Sequence, residues 1–130
     1  VEANREDKTF GDAVKVLSSA QEAMVNCVMK FMELGQSGQI AKVPLVANRF
    51  LELMSEVTVG WLLLDAAILA DKAKAGLAAG HPDIAFYEGK KWAALHYVRN
   101  ILVTAPARSQ LILEGDTSPY DISDASFATV

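Results

Sequence analysis

Val57-Thr58-Val59-Gly60-Trp61-Leu62-Leu63-Leu64-Asp65-Ala66-Ala67-Ile68-Leu69-Ala70 is the stretch on which the fold turns. It carries Thr58 and Asp65 inside it and falls short of the roughly 20 residues needed to span a bilayer, so it reads as a core helix rather than a membrane span. Because it is apolar around most of its circumference, that helix should be central, with neighbours on several sides. Upstream, Pro44 suits the first helical position. Downstream, Lys72 and Lys74 precede Gly80, which supplies a C-terminal stop. The second helix is therefore expected over about 44–79.

The other elements follow from punctuation and period. Prolines at 44, 82, 106 and 119 each stand beside a change of local pattern rather than inside a periodic run. Thr9-Phe10-Gly11-Asp12 has the form of a capping box, with Thr9 as N-cap and Asp12 at N3. Behind it Ala13, Val16, Leu17, Ala20, Met24, Cys27, Phe31 and Leu34 advance in helical steps along one stripe, giving a first helix over 9–35. His81-Pro82-Asp83 opens a third helix, 82–103, with Phe86, Ala93, Tyr97 and Ile101 on one face. Thr104-Ala105-Pro106 starts a short fourth, 106–114, stopped by Gly115, and 115–130 reads as a polar, acidic tail. The expectation is one all-α domain, 1–130, an up-and-down bundle of three long helices plus one short C-terminal helix. At 1.5 Å per residue the second helix would measure about 54 Å and the third about 33 Å. The overhang must be covered by the loop around Ile40 and Val43, by the fourth helix, or by another polypeptide surface.

Composition narrows the function classes. The chain has 130 residues, 52% of them hydrophobic and 22% charged, too apolar for a disordered protein. Twelve Lys and Arg against sixteen Asp and Glu give a net charge of −4, which removes the basic footprint that nucleic acid or an anionic membrane requires. The single cysteine, Cys27, makes neither an internal disulfide nor a zinc site, so an intracellular, cytoplasmic protein is expected. The start, Val1-Glu2-Ala3-Asn4-Arg5, lacks both an initiator Met and a signal-peptide pattern, and suggests a processed chain or a fragment of a longer enzyme.

Little in the chain has the form of a reactive site. A di-iron bundle needs inward Glu-x-x-His pairs; the histidines are His81, beside Pro82, and His96, with Ala93 three residues upstream. His96 also lacks the Lys-Gly pattern of a phosphotransfer histidine and reads as a surface or interhelical group. Cys27, between Met24 and Phe31 on the apolar stripe, reads as a small hydrophobe. Asp65, flanked by Trp61, Leu64, Ile68 and Leu69, is expected to be buried and paired with Lys90, Lys91 or Arg99. Met24, Met29, Met32 and Met54 read as gap-filling core, and Lys90-Lys91 as a solvated face. Neither a dinucleotide or phosphate loop nor a Ser-His-Asp set is visible.

One segment carries a family resemblance. Phe86-Tyr87-Glu88-Gly89-Lys90-Lys91-Trp92-Ala93-Ala94-Leu95-His96-Tyr97-Val98-Arg99-Asn100-Ile101-Leu102 resembles the penultimate helix of the extra C-terminal domain in one branch of the acyl-CoA dehydrogenases, the methylmercaptopropionyl-CoA dehydrogenase-like enzymes. The Ala-rich second helix ending Leu69-Ala70-Asp71-Lys72-Ala73 and the acidic tail support it, over residues 9 to 115. The exit, Leu102-Val103-Thr104-Ala105-Pro106, departs from the usual Leu-Pro by a displaced proline.

The resemblance implies a parent enzyme that oxidises the α,β-bond of an acyl-CoA in fatty acid metabolism, with FAD as cofactor and an electron-transferring flavoprotein as acceptor. In such enzymes a carboxylate takes the α-proton while flavin N5 takes the β-hydride. Those groups belong to upstream dehydrogenase domains of the same polypeptide, so this chain is assigned no catalytic, cofactor-binding or metal-binding residue, and alone should be inactive. Tyr87-Glu88-Gly89 matches three residues around the family's catalytic glutamate, but Lys90-Lys91-Trp92 follows where Thr or Ser and an Ile-Gln step would stand, so Glu88 is not taken as a base. Gly89 instead suggests close approach of the third helix to a neighbour, against its roughly 1 kcal/mol helix penalty. The implied role is an appended packing or assembly domain in a homo-oligomer; the alternative is a stand-alone adaptor with a Met-rich groove for partner helices.

Overall fold

The computed structural model describes residues 1–128, so the last two residues of the expected tail lie outside it. Four helices make the bundle: α1 (Gly11–Gln36), α2 (Val43–Ala75), α3 (Ile84–Asn100) and the short α4 (Ala105–Glu114). A single turn, α5 (Ser118–Asp121), and 3-10 segments at Glu2–Asn4, Ile40–Lys42, Leu102–Thr104 and Asp124–Phe127 complete it, with no strand among the described residues. The all-α architecture of three long helices and one short one stands.

The helix ends depart from expectation for local reasons. Thr9 does not cap α1. The helix starts without a side-chain cap; just before it, Asp7 Oδ1 accepts the backbone N–H of Thr9 at 2.7 Å and of Phe10 at 2.9 Å, an Asx-type turn that leads Phe10 into the core. α2 stops at Ala75, short of Ala79. Ala75 and Gly76 are exposed, so no packing repays the helix penalty of Gly76, and Gly80, at φ +83°, turns the chain towards α3 instead. α3 begins at Ile84 rather than Pro82 and gives way to the 3-10 turn at Leu102. Gly115 closes α4 in the left-handed conformation at φ 61°, as a C-terminal glycine should.

The core is built from one stripe per helix. On α2 it is Val46, Leu53, Val57, Gly60, Leu64 and Ala67, all buried; α1 supplies Ala13, Leu17, Ala20 and Cys27, and α3 Ala94, Leu95 and Val98. The α3 face is thus not the expected one, since Phe86 is 62% exposed and Ala93 lies outside. Gly89 approaches nothing: a Cβ there would meet no atom within 4 Å. Gly60 is the glycine of close approach, because a Cβ on it would stand 2.8 Å from Cδ2 of Leu102, itself fully buried.

At 33 residues α2 is about 50 Å long, twice the 17-residue α3. α1 and α4 cover its free half on the inner side: Phe31 meets Phe50 edge-to-face at 5.0 Å, and Arg108 of α4 reaches Glu52 at 2.9 Å. α2 therefore has neighbours on one side only. On the other, Val59, Trp61, Leu62 and Leu69 are 41%, 46%, 53% and 60% exposed. The length argument against a membrane span also fails, since the continuous helix from Ile40 to Ala75 is long and apolar enough by composition to cross one; its inner stripe is nevertheless core.

The two glycines give a paired expectation. Gly89→Ala should stabilise the fold by about 0.4–1 kcal/mol by stiffening the unfolded chain at an unobstructed helical site, while Gly60→Val should cost about 1–3 kcal/mol by overpacking against Leu102. Urea melts of the two variants decide it; a Gly60→Val protein as stable as the parent chain would remove Gly60 as the contact point.

Candidate functional site

Three polar clusters pin the helices to one another. At one end Glu88 of α3 joins Lys74 of α2 and its own neighbour Lys91, with Asp71 also 3.2 Å from Lys74. Hydrogen bonds from Lys74 and then Lys91 hold the Glu88 carboxyl down at about 2, and hydrogen bonds to Glu88 and then Asp71 raise the Lys74 ammonium. Glu88 is thus an interhelical tie that is charged at neutral pH. Lys91 is not a solvated residue either, its side chain being only 15% exposed, whereas Lys90 lies outside over the Phe86 ring at 5.2 Å.

At the middle of α2, Arg108 bridges Glu52 and Glu56, and the Tyr97 hydroxyl donates to the Glu56 backbone carbonyl at 3.4 Å. Burial, then the Glu56 charge, raises the Tyr97 phenol. This tie of α2, α3 and α4 was not legible in the sequence beyond the i,i+4 spacing of the two glutamates. The third cluster is interior: the Ser109 hydroxyl donates to the Ala23 carbonyl at 2.9 Å and stands 3.3 Å from Cys27 Sγ. Cys27, fully buried, is the small hydrophobe expected, bolted to α4.

The remaining candidates stay apart. Asp65 is exposed and makes no ion pair among the described residues, so its expected burial against Lys90, Lys91 or Arg99 is overturned: its position on α2 faces out. His96 is exposed and bonded to Asn100 one turn on, and His81 accepts the Asp83 backbone N–H at 3.2 Å. No cluster of three metal-ligating side chains occurs among the described residues. Met24 packs on the core, but Met29, Met32 and Met54 are 58%, 54% and 39% exposed, against the expectation of gap-filling.

The surface offers one apolar groove and one mixed one. The apolar groove, about 320 Å³, runs along the outer α2–α3 seam, floored by Ala66, Ala70 and Ala73 and walled by Leu69, Phe86 and Tyr87, with Lys90 at its edge. The mixed one, about 470 Å³, lies on α1, where Met29, Met32 and Leu113 stand beside Lys30, Glu33 and Gln36. Neither suits a dinucleotide, whose pyrophosphate needs free backbone N–H groups at a glycine-led helix start. Gly11 opens α1, but a Cβ there would stand 2.6 Å from the Arg5 carbonyl, so the chain itself occupies that approach; Gly38, Gly80 and Gly115, at positive φ, lie in turns that follow helices. The residues present do not fit FAD.

Fold and surface together define an all-α bundle domain whose polar clusters are interhelical ties. The model of the family described as "Acetyl-CoA dehydrogenase C-terminal like" matches residues 1–123, and the chain belongs to that family. It is 31% identical over 125 residues to a protein named butyryl-CoA dehydrogenase from Syntrophomonas wolfei subsp. wolfei (strain DSM 2245B / Goettingen), an alignment covering 96% of this chain and 20% of that protein. The chain spans about a fifth of the length of this relative. The resemblance read from the α3 segment and the long Ala-rich helix is therefore the right one.

The Glu88 tie has a sign in pH. Its folded value, about 2, lies below its ordinary 4.5, so its contribution is fully present above about pH 4.5 and is lost as the pH falls towards about 2. Glu88→Gln should lower Tm at neutral pH, with the gap to the parent chain closing across that acid window. An equal gap at both ends of the window would mean that the carboxylate charge is irrelevant to holding α3 on α2.

Proposed function

We propose that this chain is the appended C-terminal helical domain of an FAD-dependent enzyme that oxidises the α,β-bond of an acyl-CoA, and that it serves packing and assembly rather than chemistry. The observation that carries the reading is the family match across residues 1–123, set beside a relative five times as long whose name is an acyl-CoA dehydrogenase. The ion pairs Lys74–Glu88 and Arg108–Glu56, each joining two helices, are in keeping with a packing role. The flavin, the base and the acyl-CoA site would then lie in upstream dehydrogenase domains of the same polypeptide, with an electron-transferring flavoprotein as acceptor. A short acyl-CoA is the first substrate to try, after the relative's name. A cytoplasmic location belongs to the same reading, which rests on the chain having a single cysteine and so no internal disulfide. The exposed Met29 and Met32 favour a second reading, a stand-alone adaptor that takes partner helices on α1.

The upstream reading frame separates the two. A flavin-binding dehydrogenase core in frame with Val1 is expected, and the full-length product should be yellow and bleach with butyryl-CoA while the 130-residue chain stays colourless. In that enzyme Glu88→Gln should leave kcat nearly unchanged. A frame that begins at this domain would support the adaptor, and a fall of several orders in kcat with folding intact would make Glu88 the base.

A further inference from the structure

We propose that the outer face of α2 is a self-complementary surface for a second copy of this chain, the two α2 helices crossing antiparallel at Leu69. This rests on the assembly reading above and names its partner and its contact. Thr58, Leu62, Asp65, Leu69 and Lys72 are all exposed and advance in alternating steps of four and three, the spacing of a seam on which a second helix lies. Leu62 and Leu69 are more than half exposed, at 53% and 60%.

The charges say what covers them. Around the inner edge of α2, Lys74 is paired with Glu88 and Asp71, Glu52 and Glu56 are paired with Arg108, and Arg49 stands beside Asp116 and Glu114 without an ion pair among the described residues. Asp65 and Lys72, on the outer seam, have no ionic partner among the described residues. They stand about 10.5 Å apart along the helix with Leu69 near the midpoint. A two-fold axis there sets each Asp65 opposite the other copy's Lys72, twice by symmetry, as an isologous contact requires. The two copies' Leu69 side chains meet at that axis, and the adjoining groove, with its alanine floor between Leu69 and Phe86 and Lys90 at its edge, extends the apolar face beside the crossing. A lipid surface is the poorer occupant, because it would take Asp65 and Lys72 out of water without giving either a counter-charge.

Sedimentation of the 130-residue chain over a wide concentration range, at low salt, tests this, with a thermal melt of each variant to verify folding. A monomer–dimer equilibrium is expected. Asp65→Lys and Lys72→Asp should each weaken it at least about tenfold, and combining them should restore it to within about threefold, because the pair is only exchanged. A monomer at every concentration, single reversals without effect, or a double reversal that fails to restore association would each overturn the proposal. So would binding to phosphatidylcholine vesicles that Leu69→Glu abolishes, which would assign the face to lipid. A chain that is monomeric alone, while Leu69→Glu disrupts the full-length enzyme, would assign it to the upstream domains. Any of these leaves membership of the parent enzyme standing, since the reading frame decides that separately.

Discussion

A helix that is apolar on both sides cannot bury both in a domain of this size. α2 runs the length of the molecule, and the other three helices lie against a single side of it. The contact that settles which side goes in is the seating of Leu102 on Gly60: the absence of a side chain at the helix middle lets the α3–α4 corner approach the α2 backbone. Val57 and Leu64 flank that point on the same stripe, so the approach orients the whole inner face. With Gly60 turned inward, the pitch of the helix sends Leu62, Asp65 and Leu69 outward, and the bare face follows from the buried one.

The polar ties are arranged around that choice. Lys74 and Glu88 fasten the C-terminal end of α2 to the start of α3, while Arg108 and Tyr97 fasten its middle to α4 and the end of α3. Ser109 and Cys27 join α4 to α1. Their chemistry is positional: Glu88, Glu52 and Glu56 each face a cation of another helix, and the lowered Glu88 pKa is the signature of that tie.

Much of the fold was legible in the sequence because prolines and glycines mark helix ends by local chemistry. The order of the four bundle helices and the Gly115 stop followed from such marks, though the short turns at Ser118–Asp121 and Asp124–Phe127 in the expected tail did not, and the family followed from the α3 segment. The misses share a cause. Periodicity tells which residues share a face only where polar residues interrupt the apolar ones, and Val57 to Ala70 offers too few. Hence Asp65 was placed inside, and Gly89 rather than Gly60 was taken for the close approach. Gly80 was preferred to Gly76 as the stop because both are glycines and only the lack of packing on the last turn distinguishes them. The Arg108 tie joins residues more than fifty positions apart, and the methionine pattern looked equally apolar whether it lay within or without.

The claim on which the account rests is that α2 has one face for its own domain and another for a partner. Hydroxyl-radical footprinting of the full-length assembled enzyme beside the dilute 130-residue chain tests it most directly. The account predicts that Trp61, Leu62 and Leu69 are oxidised in the dilute chain and protected in the assembly, while Leu53 and Leu64 are protected in both. Equal oxidation of the outer residues in the two samples would contradict it.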